Sequence, residues 1–211
     1  RPAELVLSPA LLVGGTLLAA AMFVAVVAVM WLLGSVSFTA VGWWPYLAGA
    51  LAFGIKGGVV EELFYRGLLF RLPERLLGTW LSLALSAVIF GLGHLSTPGA
   101  TWWTTVSLVL TAGIALGAAY VATGSLWLPI GLHAGWNLTQ AAFGLPVSGH
   151  ALSGLLDPEV SGPTWLTGGD YGPEASVVSV VIWAVLAVLL LRHAVRTGRI
   201  VAPRWRRSVT A

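Results

Sequence analysis

Three short stretches carry side chains that could do chemistry in an otherwise apolar chain. Residues 59–69 read VVEELFYRGLL and hold Glu61, Glu62 and Arg66 together. His94 follows Phe90 at a spacing of four, and His133 precedes Asn137 at the same spacing. Residues four apart on a helix share a face, and a Glu N-terminal to its basic partner is the better order. Glu62 is therefore set to pair with Arg66 as a structural ion pair. Glu61 points roughly 100° away around the helix and is left as the free carboxylate. A buried carboxylate beside a histidine can orient and deprotonate a water. A second histidine with an asparagine amide can donate hydrogen bonds to a developing oxyanion. That set suffices to hydrolyse an amide without a protein nucleophile, provided three helices bring Glu61, His94 and His133 together.

The surroundings make these residues costly. Charged residues are 9% of the 211, 57% are hydrophobic, and the mean hydropathy is +0.89. Those values belong to an integral membrane protein and exclude a soluble enzyme. Placing Glu61, Glu62 and Arg66 in lipid costs roughly 2.5–3.5 kcal/mol each, less what pairing returns. The bilayer is the partner that composition implies. Nucleic acid is not expected, because no basic patch with interleaved aromatics is present. The absence of cysteine excludes disulfides and thiolate metal sites. The chain opens on Arg1 rather than Met, as a trimmed chain would, and its Ala, Gly, Val, Leu and Arg bias suits a GC-rich bacterial genome.

Six stretches are candidate spans for a bilayer of about 30 Å: 9–33, 44–72, 80–95, 102–122, 126–143 and 177–191. The second carries the Glu–Glu–Arg cluster and also Lys56, which can snorkel or pair with a carboxylate. Six basic residues, Arg192, Arg196, Arg199, Arg204, Arg206 and Arg207, mark the C-terminal tail as cytoplasmic. Threading six spans back from it places Arg71 and Arg75 on the same side, the N-terminus inside and the 145–176 loop outside. That loop holds Asp157, Glu159, Asp170 and Glu174 with no Lys or Arg. Its Gly, Pro and Ser content predicts an irregular external loop or lid, with no chemistry assigned to it. Trp31, Trp43, Trp44, Trp80, Trp102, Trp103 and Trp127 fall at predicted span ends, as interfacial anchors do. The small residues from Ala112 to Ala119 predict close helix packing. The expected fold is thus all-α: a polytopic membrane helix bundle of about six transmembrane helices in a single domain, 1–211. Its motif-bearing core covers about 43–144 and its basic tail about 192–211.

Glu61-Glu62-Leu63-Phe64-Tyr65-Arg66 reads EExxxR, Phe90 to His94 reads FxxxH, and His133 to Asn137 reads HxxxN. In that order on successive apolar helices they resemble the three motifs of the CPBP intramembrane proteases. That family includes the type II CAAX prenyl endopeptidases and the bacterial Abi and bacteriocin-immunity proteins. The resemblance implies an endopeptidase of the cell membrane acting on a membrane-associated or lipidated protein or peptide. It implies Glu61 as the catalytic glutamate with His94 helping it activate water. His133 and Asn137 would stabilise the oxyanion, and Glu62 and Arg66 would support the site. A metal-free mechanism is preferred, with Zn²⁺ on Glu61, His94 and His133 as the alternative ligand set. The rival functions are a non-catalytic immunity or scaffold protein and, behind it, a proton-coupled transporter.

Overall fold

The computed structural model describes residues 6–41 and 45–207. Helix makes up 73% of it, so the bundle is all-α, as the hydropathy predicts. Helix α1 (Pro9–Leu32) opens on a proline at its first position, where a missing N–H removes no helical bond. It is apolar around its whole circumference, so one side packs inward and the rest suits lipid. Phe23, Val26 and Met30 are buried, whereas Leu17 and Leu32 stand out of the fold. A strand, β1 (Val36–Val41), follows.

Helix α2 (Pro45–Ile55) then runs through a π-helical stretch (Lys56–Glu61), a short α3 (Glu62–Phe64) and a second π-helical stretch (Tyr65–Phe70) into α4 (Arg71–Gly93). Wide turns of this kind recur at functional sites, and here the first ends on Glu61, the second contains Arg66, and Glu62 lies between them. The run bends at Gly78, with φ 75° and ψ 173°, a conformation open to glycine and strained for other residues. The C-terminal tail fills the bend. Thr79 N–H donates to the Val201 carbonyl at 3.0 Å, and Val201 N–H donates to Thr79 Oγ1 at 2.8 Å. The structure thereby brings the segment of Arg71 and Arg75 and the basic tail to the same end of the bundle.

Helix α5 (Trp102–Leu108) is capped by reciprocal bonds between Thr101 and Thr104. It continues through a third π-helical stretch (Val109–Gly113) into α6 (Ile114–Thr123), which Gly124 ends at φ 66°. Ala115, Ala118 and Ala119 are fully buried, and a Cβ on Gly113 would sit 3.1 Å from Ala87 on α4. Small residues here do permit the expected close approach. Helix α7 (Trp127–Ala142) is the centre of the fold. Its Gly131 and Gly135 lie directly against the backbone of α1 at Leu12 and Thr16. Trp136 packs edge-on against Phe23, 5.1 Å between ring centres, and tilts against Trp183 at the same distance. Helix α9 (Val177–Arg196) is capped by Ser176, whose side chain accepts from Ser179 N–H.

Among the described residues, four helical runs are long and apolar enough to cross a membrane: Pro9–Leu32, Ala48–Gly93, Trp102–Thr123 and Val177–Arg196. The chain is a multi-pass membrane protein. The six-span expectation is redistributed in two places. The spans at 44–72 and 80–95 form one helical run with the Gly78 bend. The fifth is the 16-residue α7, short of the roughly 20 residues a span needs and enclosed by its neighbours. Trp31, Trp80, Trp102 and Trp103 are exposed near helix ends, as anchors would be. Trp43 and Trp44 lie outside the described residues.

Residues 145–176 are not an irregular loop. Strand β2 (Leu156–Val160) pairs antiparallel with β1, Val36 opposite Val160 and Val41 opposite Leu156. Phe38 of this ribbon sits 5.6 Å from Phe143 at the end of α7. A single helical turn, α8 (Thr164–Thr167), and two 3₁₀ turns (Gly169–Tyr171 and Pro173–Ala175) lead into α9. Composition alone hid this order, because the strand partner lies more than a hundred residues away. A last turn, α10 (Arg204–Arg207), closes the described chain.

Candidate active site

Glu62 and Arg66 are completely buried. Arg66 Nη1 donates to Glu62 Oε1 at 2.7 Å, the pair that the i,i+4 spacing predicts. Nη2 donates to the carbonyls of Ala112 at 2.7 Å and Gly113 at 3.0 Å, which ties the cluster to the π-helical stretch before α6. The guanidinium lies over Phe90, 4.9 Å from the ring centre, a favourable cation–π placement. His133 Nδ1 donates to the same Glu62 Oε1 at 2.8 Å. A carboxylate beside an arginine only accepts, so the His133 proton is on Nδ1 and Nε2 is turned away from Glu62.

Glu61 has a different environment. Its side chain is 34% exposed, against 13% for His94. His94 Nδ1 lies 2.8 Å from the Phe90 carbonyl, which can only accept, so Nδ1 carries the proton and Nε2 the lone pair. Nε2 faces Glu61 Oε2 across 3.8 Å. Both atoms are acceptors, and the gap is too long for a direct hydrogen bond. Oε2 is buried and has no hydrogen-bond partner, which is costly for a carboxylate unless a donor reaches it. One water can hydrogen-bond both atoms across such a gap.

The other oxygen of Glu61 looks onto Gly57. A Cβ at Gly57 would lie 2.8 Å from Asn137 Nδ2, 3.5 Å from His133 Nε2 and 3.8 Å from Glu61 Oε1. Three polar atoms from two helical elements thus converge on a space that a glycine keeps open. Adjacent glycines such as Gly57-Gly58 let membrane helices approach closely. Gly58 serves that purpose, against Ala134, whereas Gly57 borders the polar cluster.

All six sequence-predicted residues come together here, in a division that the spacing did not reveal. His94 is beside Glu61, and His133 is hydrogen-bonded to Glu62 rather than to Glu61. Phe90, noted in sequence only for its spacing, is the central side chain: it lies under Arg66, 4.7 Å from the His94 ring and 6.0 Å from the His133 ring. Lys56 is exposed. Among the described residues, no three His, Cys, Asp or Glu side chains are placed to hold a metal ion. The chemistry below runs through no metal.

Sequence reasoning missed Glu174. This residue of the Pro173–Ala175 turn is 6% exposed and accepts the backbone N–H of Ser148. With His94, His133, Asn137 and Ser148 it lines a cavity of about 20 Å³, room for a water molecule. Burial, with the charge of Glu61 adding to it, pushes the Glu174 carboxyl up to about 7. No local pattern marks it, since its acid neighbours in the loop are ordinary surface residues.

A multi-pass helical protein that gathers two histidines, an asparagine amide and the buried Glu174 carboxyl around one small cavity, with Glu61 beside one of those histidines, has the makings of an intramembrane hydrolase. Residues 42–139 match the family model described as type II CAAX prenyl endopeptidase Rce1-like. That match, over the motif-bearing core, supports the resemblance to the CAAX intramembrane proteases carried by EExxxR, FxxxH and HxxxN. No curated protein and no solved structure matches the chain.

Proposed function

We propose that this protein is an endopeptidase of the bacterial cell membrane that cleaves a membrane-associated or lipidated protein or peptide by direct attack of water. The observation that carries this reading is Glu61 Oε2 facing His94 Nε2 across 3.8 Å. Water between them loses a proton to the carboxylate while the imidazole orients it. The attacked carbonyl oxygen takes the space over Gly57. Asn137 Nδ2 donates to it there, and His133 donates from Nε2 when the ring is in its imidazolium form. Glu62 and Arg66 act from behind: Glu62 fixes the His133 ring, and Arg66 locks Glu62 to Phe90 and to the chain before α6. The basic segments brought to one end support cytoplasmic termini under the positive-inside rule, with residues 145–176 on the outer face.

The test is proteomic. Membranes from cells expressing the wild type and Glu61→Gln are compared at newly formed C-termini. Termini that depend on Glu61 are expected. If Glu61→Gln, His94→Ala and His133→Ala all retain biological function, the immunity or scaffold reading replaces this one. Activity lost to a chelator and restored by Zn²⁺ would overturn the metal-free route.

A further inference from the structure

Amide hydrolysis needs two proton transfers: one off the attacking water and one onto the departing nitrogen. Glu61 is placed for the first. Glu174 is a buried carboxyl for which the chemistry above has no task, and it lines the same cavity as His94, His133 and Asn137.

Its position is fixed by the segment around it. The Trp103 indole N–H donates to the Ala175 carbonyl at 2.8 Å. Ser179 Oγ donates to the Pro173 carbonyl at 2.6 Å. The Ser148 N–H holds one carboxyl oxygen. The titratable groups that face Glu174 are His133 on α7, Glu61 on the run before α3 and Tyr171 in its own loop; His94 completes the cavity wall.

Resting on the protease reading, we propose that Glu174 is the general acid that protonates the amine leaving group. The water oxygen bonds to the carbonyl carbon as Glu61 takes one water proton. The C–N bond then breaks, and the electron pair left on nitrogen takes the proton of the Glu174 carboxyl. One product leaves as an amine and the other as a carboxylic acid. Glu61 releases its proton, and Glu174 regains one, by exchange with solvent. A carboxyl that titrates near 7 still holds its proton at the pH where such an acid must work. Residues 145–176 thereby become part of the active site and not only its cover.

The test uses the full chain in detergent micelles with two quenched farnesylated CAAX-type peptides. One has an amide at the scissile bond and the other a thioester. A thiolate can leave without a proton, whereas an amine cannot. Gln keeps the acceptor that Ser148 uses, so Glu174→Gln should fold. This variant is expected to cut amide turnover about 100-fold or more and to slow the thioester at least ten times less. Above about pH 7 wild-type amide turnover should fall, and the variant should lack that limb. Equal loss on both probes, or loss on neither, overturns the proposal; loss on neither would leave Glu61 to carry both protons. Glu61→Gln should slow both probes, and if it slows neither, the protease reading itself fails.

Discussion

Glu61 Oε2 and His94 Nε2 face each other across 3.8 Å, while the adjacent Glu62 is closed off by Arg66 and His133. Two neighbouring carboxylates thus have unlike surroundings, one about a third exposed and without a hydrogen bond on Oε2, the other buried with its Oε1 held by both Arg66 and His133. Replacing Glu61 by Gln removes the base but leaves its shape and the Glu62 cluster intact. Turnover should fall by about 10²–10⁴ with an unchanged thermal unfolding midpoint in detergent. Activity near wild type in that variant would refute the assignment of the base.

Glu62 and Arg66 predict the opposite signature. Both are fully buried, and removing one strands the other. Breaking a buried pair in this way costs roughly 3–5 kcal/mol. Glu62→Ala and Arg66→Ala should each lower the unfolding midpoint and the yield of folded protein. The double variant should lose less than the sum, because neither charge is then stranded. Additive losses would mean that the pair is not energetically coupled.

Gly57 offers a third contrast. An added methyl enters the space between Asn137 Nδ2, His133 Nε2 and Glu61 Oε1, where no hydrocarbon wall awaits it. Gly57→Ala should lower kcat by about 100-fold or more while KM stays close to that of the wild type, since the carbonyl loses its place only where it reacts. Gly58→Ala should instead destabilise, as its Cβ would run into the α7 backbone at Ala134. Stability curves together with steady-state kinetics on the two variants separate the cases. Equal effects on both measures would show that Gly57 is a packing glycine.

Much of this was legible beforehand because it depends on local spacing. The Glu62–Arg66 pair follows from i,i+4 geometry, and the bundle follows from hydropathy. The pairing of His133 with Glu62 was not legible, because two adjacent carboxylates and two histidines on other helices allow either assignment until the helices are placed. Phe90 was underrated, since an apolar residue in an apolar helix carries no mark of what stacks on it. The order within residues 145–176 was hidden for a different reason. It comes from contacts distant in sequence, β1 with β2 and Trp103 with Ala175, and loop composition does not report them. Glu174 went unassigned with it.

The carboxyl of Glu174 also makes stability depend on pH in a stated direction. Burial, the main cause, favours its neutral form, so its folded value rises from 4.5 to about 7. The folded chain therefore holds a proton that the unfolded chain releases between those values. Stability from this group is fully present below about 4.5, declines as pH rises through the window, and levels off above about 7. Glu174→Gln cannot titrate and should lack that decline. Other groups cancel when the unfolding midpoint of the wild type is compared with that of the variant at each pH from 4 to 8. The difference should shift against the wild type between about 4.5 and 7 and be flat on either side. A difference that stays level across the window would mean that Glu174 is ionised in the folded protein, and it could not then supply a proton near neutrality.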